Sequence, residues 1–99
     1  MPRFGVFRNP DGDGYLLDVQ ADLLEHLNTR VVVPLLPLKS APVPAKTLNP
    51  TFEVEGEPVA MVTQFLAAVP AQMLRTAVAS LEGRRQDVTA ALDLLFQGF

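Results

Sequence analysis

Proline constrains this chain more than any other residue type. Nine of its 99 residues are proline, and Pro34, Pro37, Pro42, Pro44, Pro50, Pro58 and Pro70 fall close together. A proline has no backbone N–H and its ring clashes with the preceding turn of a helix, so no long helix crosses that region. The stretches between the prolines are short and suited to strands. Arg30-Val31-Val32-Val33 is the strongest strand signal, with three consecutive β-branched residues. Pro34 and Pro37 are then expected to confine the next residues to a sheet edge or an irregular extension. Leu38–Pro50 reads as a loop or extended arm. Thr51-Phe52-Glu53-Val54-Glu55 alternates with period two, and Pro58–Val62 supplies a partner strand. Gly56-Glu57 between them suits a type II′ turn. Glu53 and Glu55 would then share a solvated outer face.

The flanks read differently. Phe4–Phe7 and Tyr15–Val19 are strand-like, and "RNPDGDG" between them is a dense turn signal, giving a hairpin with a polar tip. Asp11 and Asp13 are read first as turn residues. The third ligand and the closing Glu of a calcium loop are missing, so calcium is rejected. Phe65–Val69 is another apolar run, closed by Pro70. Ala71–Leu81 fits a helix by propensity, or a turn and a short strand. Val88, Ala91, Leu92, Leu95 and Phe96 form one apolar stripe on a terminal helix, with Gly83 as its N-cap. The expected class is therefore mostly β, one domain over residues 1–99, with one C-terminal α-helix.

Composition narrows function. The net charge is −3 and the eight basic residues are scattered, apart from Arg84-Arg85, which argues against direct wrapping of nucleic acid. There is no cysteine, hence no disulfide or thiolate chemistry. No secretory signal and no membrane-length apolar run are visible, so a cytoplasmic protein without a membrane segment is expected. The single histidine, His26, reads as an exposed turn residue and supports neither a catalytic triad nor a zinc site. No phosphate-binding glycine loop is present. Neither an enzyme, nor a cofactor, nor a metal is expected.

One series of residues runs nearly the whole chain: Phe4-x-Val6, Tyr15, Asp18-Val19-Gln20-x-Asp22-Leu23-Leu24, Arg30-Val31-Val32-Val33-Pro34-Leu35, Leu48-x-Pro50-x-Phe52-x-Val54-x-Gly56-Glu57, Ala68-Val69-Pro70, and Asp87-Val88-x-x-Ala91-Leu92-x-Leu94-Leu95-Phe96-x-Gly98. In order and spacing it resembles the CcdB family, the toxins of type II toxin–antitoxin systems that poison DNA gyrase. The resemblance implies an SH3-like barrel of antiparallel strands with a small three-stranded side sheet and a long C-terminal helix, the CcdB/MazF-type fold, assembled as a homodimer. It would make Ala71–Leu74 a turn and Thr76–Leu81 a short strand.

The resemblance also implies function. Such toxins bind the gyrase A subunit and trap the cleaved-DNA complex; they are not enzymes. Carried onto this chain, the gyrase contact falls on Gln97, Gly98 and Phe99, with Asp93 one turn earlier and Leu23 and Leu24 nearby. The tail would be partly core (Leu92, Leu95, Phe96) and partly presented (Gly98, Phe99). Where the family reads Trp-Gly-Ile, this chain reads Gln97-Gly98-Phe99, and Asp93 stands where Asn is common. A CcdA-like antitoxin, through a disordered acidic segment, is the second implied partner; operator DNA would be bound only by the complex. Its expected surfaces are the hairpin tip, with Arg8, Asp11, Asp13 and Tyr15, and the Pro37–Lys46 stretch, with Lys39 and Lys46; Arg30 is a further cation for acidic side chains. Two alternatives stay open. One is a homologue that keeps fold and antitoxin but no longer poisons gyrase, for which Gln97 speaks. The other is a MazF-like endoribonuclease recruiting Arg30.

Overall fold

The computed structural model describes residues 3–99; the first two positions of the domain expected over 1–99 lie outside them. Along the chain run β1 (Gly5–Arg8), β2 (Tyr15–Asp18), β3 (Thr29–Pro37), β4 (Thr51–Val54), β5 (Glu57–Met61), β6 (Ala67–Pro70), β7 (Ala77–Ser80) and α1 (Arg85–Gln97). The strands form one antiparallel sheet in the order β4-β5-β3-β2-β1-β7, with β6 paired to β3 off that path. The sheet curls into a half-barrel beside the single C-terminal helix. The mostly-β class holds, and Ala71–Met73 is a 3-10 turn leading to β7. No helix among the described residues is long and apolar enough to cross a membrane.

β2 is buried on both faces, which is why Tyr15-Leu16-Leu17 does not alternate with polar residues and why even Asp18, at its end, is buried. One face carries the main core, including Val6, Leu17, Val33, Leu35, Phe52, Met61, Val88 and Ala91. Phe7, Leu16, Val32 and Leu74 make a smaller cluster from the alternate strand positions. Arg84 closes the start of α1 onto β4: its guanidinium lies 4.6 Å from the Phe52 ring centre and 2.7 Å from the Asp87 carboxylate. Arg85, next to it, pairs with Glu82, and both arginines stay exposed while doing so.

Several expectations are corrected. β3 does not stop before Pro34; it runs to Pro37 in the middle of the sheet. The first residues of β3, through Val32, pair with β6, and its last, from Leu35, pair with β5. Pro34 lies in the gap between those partners, and its carbonyl accepts the Val62 N–H at 3.0 Å. N–H and C=O of one strand residue share an edge, so the missing donor faces the gap and costs no ladder bond. β4, β5 and the end of β3 form the three-stranded side sheet, continuous with the main sheet through β3.

The β4–β5 turn is shifted by one residue. Val54 pairs with Glu57, so the loop is Glu55-Gly56, with φ of 52° and 80°. Two positive values fit a type I′ turn, not type II′. This lifts Glu55 off the strand face it was expected to share with Glu53. Gly83 belongs to a 3-10 turn (Glu82–Arg84), and the N-cap is Arg84. The apolar stripe of α1 is only partly core: Val88 and Ala91 are buried and Leu92 is half-buried, whereas Leu95 and Phe96 are exposed.

Candidate functional site

The end of α1 concentrates apolar side chains in water. Phe96 is 68% and Phe99 85% exposed, and Leu95 lies on the same last turns. Gly98 ends the helix at φ 83°, its N–H bonded to the Leu94 carbonyl at 3.0 Å. This left-handed cap suits glycine and ends the helix before Phe99. Gln97, also exposed, reaches back and donates from its amide to Asp93 at 3.4 Å. Phe65, on the 3-10 turn Thr63–Phe65 against which α1 packs, is exposed as well. Leu23 and Leu24 sit on another 3-10 turn, between β2 and β3, with Leu23 the more open. That turn is held by the Arg3 N–H donating to Asp22 at 2.7 Å and by Gln20 donating to the Leu24 carbonyl at 3.0 Å.

The hairpin residues are joined by a group that sequence reasoning placed elsewhere. Glu55 accepts from Arg8 at 2.7 Å and from the Tyr15 hydroxyl at 3.1 Å. It ties the β1–β2 hairpin to the β4–β5 turn. The Tyr15 ring is buried. Burial pushes its phenol above the ordinary value, and the Glu55 hydrogen bond and charge add to the rise. Asp11 and Asp13 are exposed in a loop braced by Asn9, which accepts the Asp11 N–H at 3.0 Å. Lys39 and Lys46 are exposed on the long connection between β3 and β4, which Asn49 anchors through Ala45, Met61 and Gln64.

Arg30 is not a surface cation. It is 1% exposed and lies 2.7 Å from the Asp18 carboxylate, itself wholly buried. The Gln20 N–H donates to the other Asp18 oxygen at 3.1 Å. Burial pushes the Asp18 carboxyl up; Arg30 and the Gln20 N–H draw it back by less. Neither expected role for Arg30, gripping acidic side chains or cleaving RNA, is compatible with this burial. The strand register brings the pair together. Asp18 opposite Val32 shares the sheet face of position 30, an acid and a base at inward positions of neighbouring strands.

A groove of about 600 Å3 opens beside the hairpin. Phe7, Arg8 and Asp11 line one side, and Met73, Arg75 and Val78 line the other. Arg75 drew no notice in the sequence because nothing around it forms a motif. Among the described residues no cluster of His, Cys, Asp or Glu could hold a metal.

Fold and surfaces together define a class: a small antiparallel half-barrel with a helix whose tip is apolar and exposed. A family model described as CcdB protein matches residues 3–98. The match covers nearly the whole chain, and the chain belongs to the CcdB family. Membership places it among the toxins of toxin–antitoxin systems, with an antitoxin as the implied partner.

Proposed function

We propose that this chain is a cytoplasmic toxin that binds the DNA gyrase A subunit and traps the cleaved-DNA complex, by binding and not by catalysis. It acts as a homodimer, is restrained by a CcdA-like antitoxin, and meets operator DNA only through that complex. The observation that carries this reading is the exposure of Leu95, Phe96 and Phe99 around the Gly98 cap. Exposed apolar clusters of this kind mark partner sites, and a twofold axis would double the patch. Gln97 occupies the position of the family's tryptophan, but Phe96 and Phe99 offer two rings beside it. The buried Arg30 speaks against the endoribonuclease alternative, which leaned on that side chain.

The test is calorimetry of the purified protein against the gyrase A dimerisation fragment. Binding is expected, and deletion of Phe99 or Phe96→Ala should weaken it by about 2–4 kcal/mol each, the range for an aromatic anchor. Both side chains are exposed, so the fold should be unchanged. Absence of binding at about 10–100 μM, far weaker than a specific complex requires, to gyrases from several sources would leave the second reading. That reading is a homologue that retains antitoxin binding only, and it draws on Gln97 being folded back onto Asp93.

A further inference from the structure

Two Asp-Gly dipeptides follow one another in the tip of the β1–β2 hairpin, Asp11-Gly12 and Asp13-Gly14. Such dipeptides are chemically fragile. The nitrogen after an aspartate can attack the side-chain carboxyl and close a five-membered imide, provided that no side chain blocks its approach and the backbone can turn to bring it there. Glycine meets both conditions best. The rest of the chain holds no comparable pair. Asn9 and Asn49 precede proline, whose nitrogen has no proton to give up. Asn28, Asp18 and Asp87 precede the β-branched Thr29, Val19 and Val88, and Asp22 and Asp93 precede leucine.

The fold treats the two pairs differently. Both aspartates are exposed. At Gly12 a Cβ would meet only the Asn9 side-chain nitrogen, at 4.0 Å. The Asn9 side chain holds the Asp11 N–H at 3.0 Å, so it engages the peptide before Asp11 and not the one after it. Gly14 is clamped. Its φ is 83°, a Cβ there would lie 2.2 Å from the Leu35 carbonyl oxygen, and its own carbonyl accepts the Asn9 N–H at 3.2 Å. The next residue, Tyr15, is paired with Arg8 on one side and Leu35 on the other. Turning the Asp13–Gly14 peptide far enough to close a ring would break these contacts and open the hairpin base, a local unfolding step that Asp11 does not require.

We propose that Asp11 is a site of spontaneous covalent modification, its conversion to isoaspartate, and that the fold shields Asp13 from the same reaction. The Gly12 nitrogen bonds to the side-chain carboxyl carbon of Asp11, and the nitrogen's proton leaves with the carboxyl hydroxyl as water. Water then opens the imide. Attack at the former side-chain carbonyl restores aspartate. Attack at the main-chain carbonyl leaves isoaspartate: the chain now runs through the old side chain, and the old main-chain carbonyl is released as a carboxylate. Water is the only co-reactant, and net charge and mass are unchanged. The extra backbone carbon lies outside the Arg8–Tyr15 pair, so the hairpin base and its tie to Glu55 keep their register. The exposed product suits the class of enzyme that methylates isoaspartyl carboxylates from S-adenosylmethionine, because such a site must be reached on an open, extended segment. The chemistry is independent of what the chain binds.

The test ages the full chain for several weeks at neutral pH in water enriched in the heavy oxygen isotope, which labels each imide as it opens. Trypsin in ordinary water then releases residues 9–30, and tandem mass spectrometry locates the label. In the folded protein Asp11 should carry at least about tenfold more label than Asp13, the protection expected where reaction needs local opening. In urea the two should label comparably. Methyl transfer by a protein-isoaspartate methyltransferase should rise with the label on the aged folded protein. Gly12→Ala should remove most of both signals and leave Tm unchanged, since Gly12 is not left-handed and has room for a Cβ. Equal labelling of the two aspartates in the folded state, label chiefly on Asp13, or no label on Asp11 would overturn the proposal. So would label undiminished by Gly12→Ala, or label without methylation, which would mean that the imide only reverts to aspartate.

Discussion

Removing the Asp18 carboxylate would leave the Arg30 guanidinium charged, out of water and without its counter-ion. Breaking one half of a buried pair costs about 3–5 kcal/mol, far more than the pair contributes relative to apolar replacements. Asp18→Asn is therefore expected to lower the urea midpoint sharply, by roughly that free energy, while Asp18→Leu with Arg30→Met recovers most of it. A double variant as unstable as the single one would show that the pair itself stabilises the fold. Tyr15 gives a second expectation at this scale. Its folded pKa lies above the ordinary 10.0, so between the two values the unfolded chain has lost a proton that the native protein retains. Its stabilising contribution is full below pH 10 and is lost as pH rises through the raised value. The chain has one tyrosine and no tryptophan, so tyrosinate absorbance reports this group alone. Tyrosinate should appear together with unfolding, and Tyr15→Phe should flatten the alkaline limb of stability. Ionisation at the ordinary value in a protein that stays folded would refute the assignment.

At the scale of elements, the β1–β2 hairpin is positioned by Gly14. Its φ is 83°, and a Cβ there would sit 2.2 Å from the Leu35 carbonyl oxygen on β3. Gly14→Ala should therefore cost more than about 2 kcal/mol, from left-handed strain plus a backbone clash, read as a fall in Tm. A change within about 0.5 kcal/mol, typical of a surface position, would contradict the geometry. Most elements were legible from local chemistry. The valine run, the alternation as far as Val54 and the "RNPDGDG" turn each became what their residues suggest. The helix was legible as a helix, but how far its stripe is buried was not. Val88 and Leu95 are equally apolar in sequence, yet one meets the sheet and the other passes beyond it. The turn at Glu55-Gly56 was misplaced by one residue because Gly serves both type I′ and type II′, and only the strand register distinguishes them.

For the molecule as a whole, what sequence patterns could not convey was strand order. Glu55 lies 40 residues from Tyr15 and 47 from Arg8 along the chain, and it meets them because β3 carries the hairpin on one side and β5 on the other. Arg30 looked like any scattered cation until its strand was placed at the centre. Pro34 carries a last implication. It is harmless at one alignment only, where its absent N–H points into the space between β6 and β5. Slide β3 by a single residue and that imino ring would stand where a neighbour's carbonyl demands a proton. The residue that most obstructs helix and sheet alike thereby acts as a proofreader, rejecting the off-by-one assembly that a run of identical valines would otherwise invite.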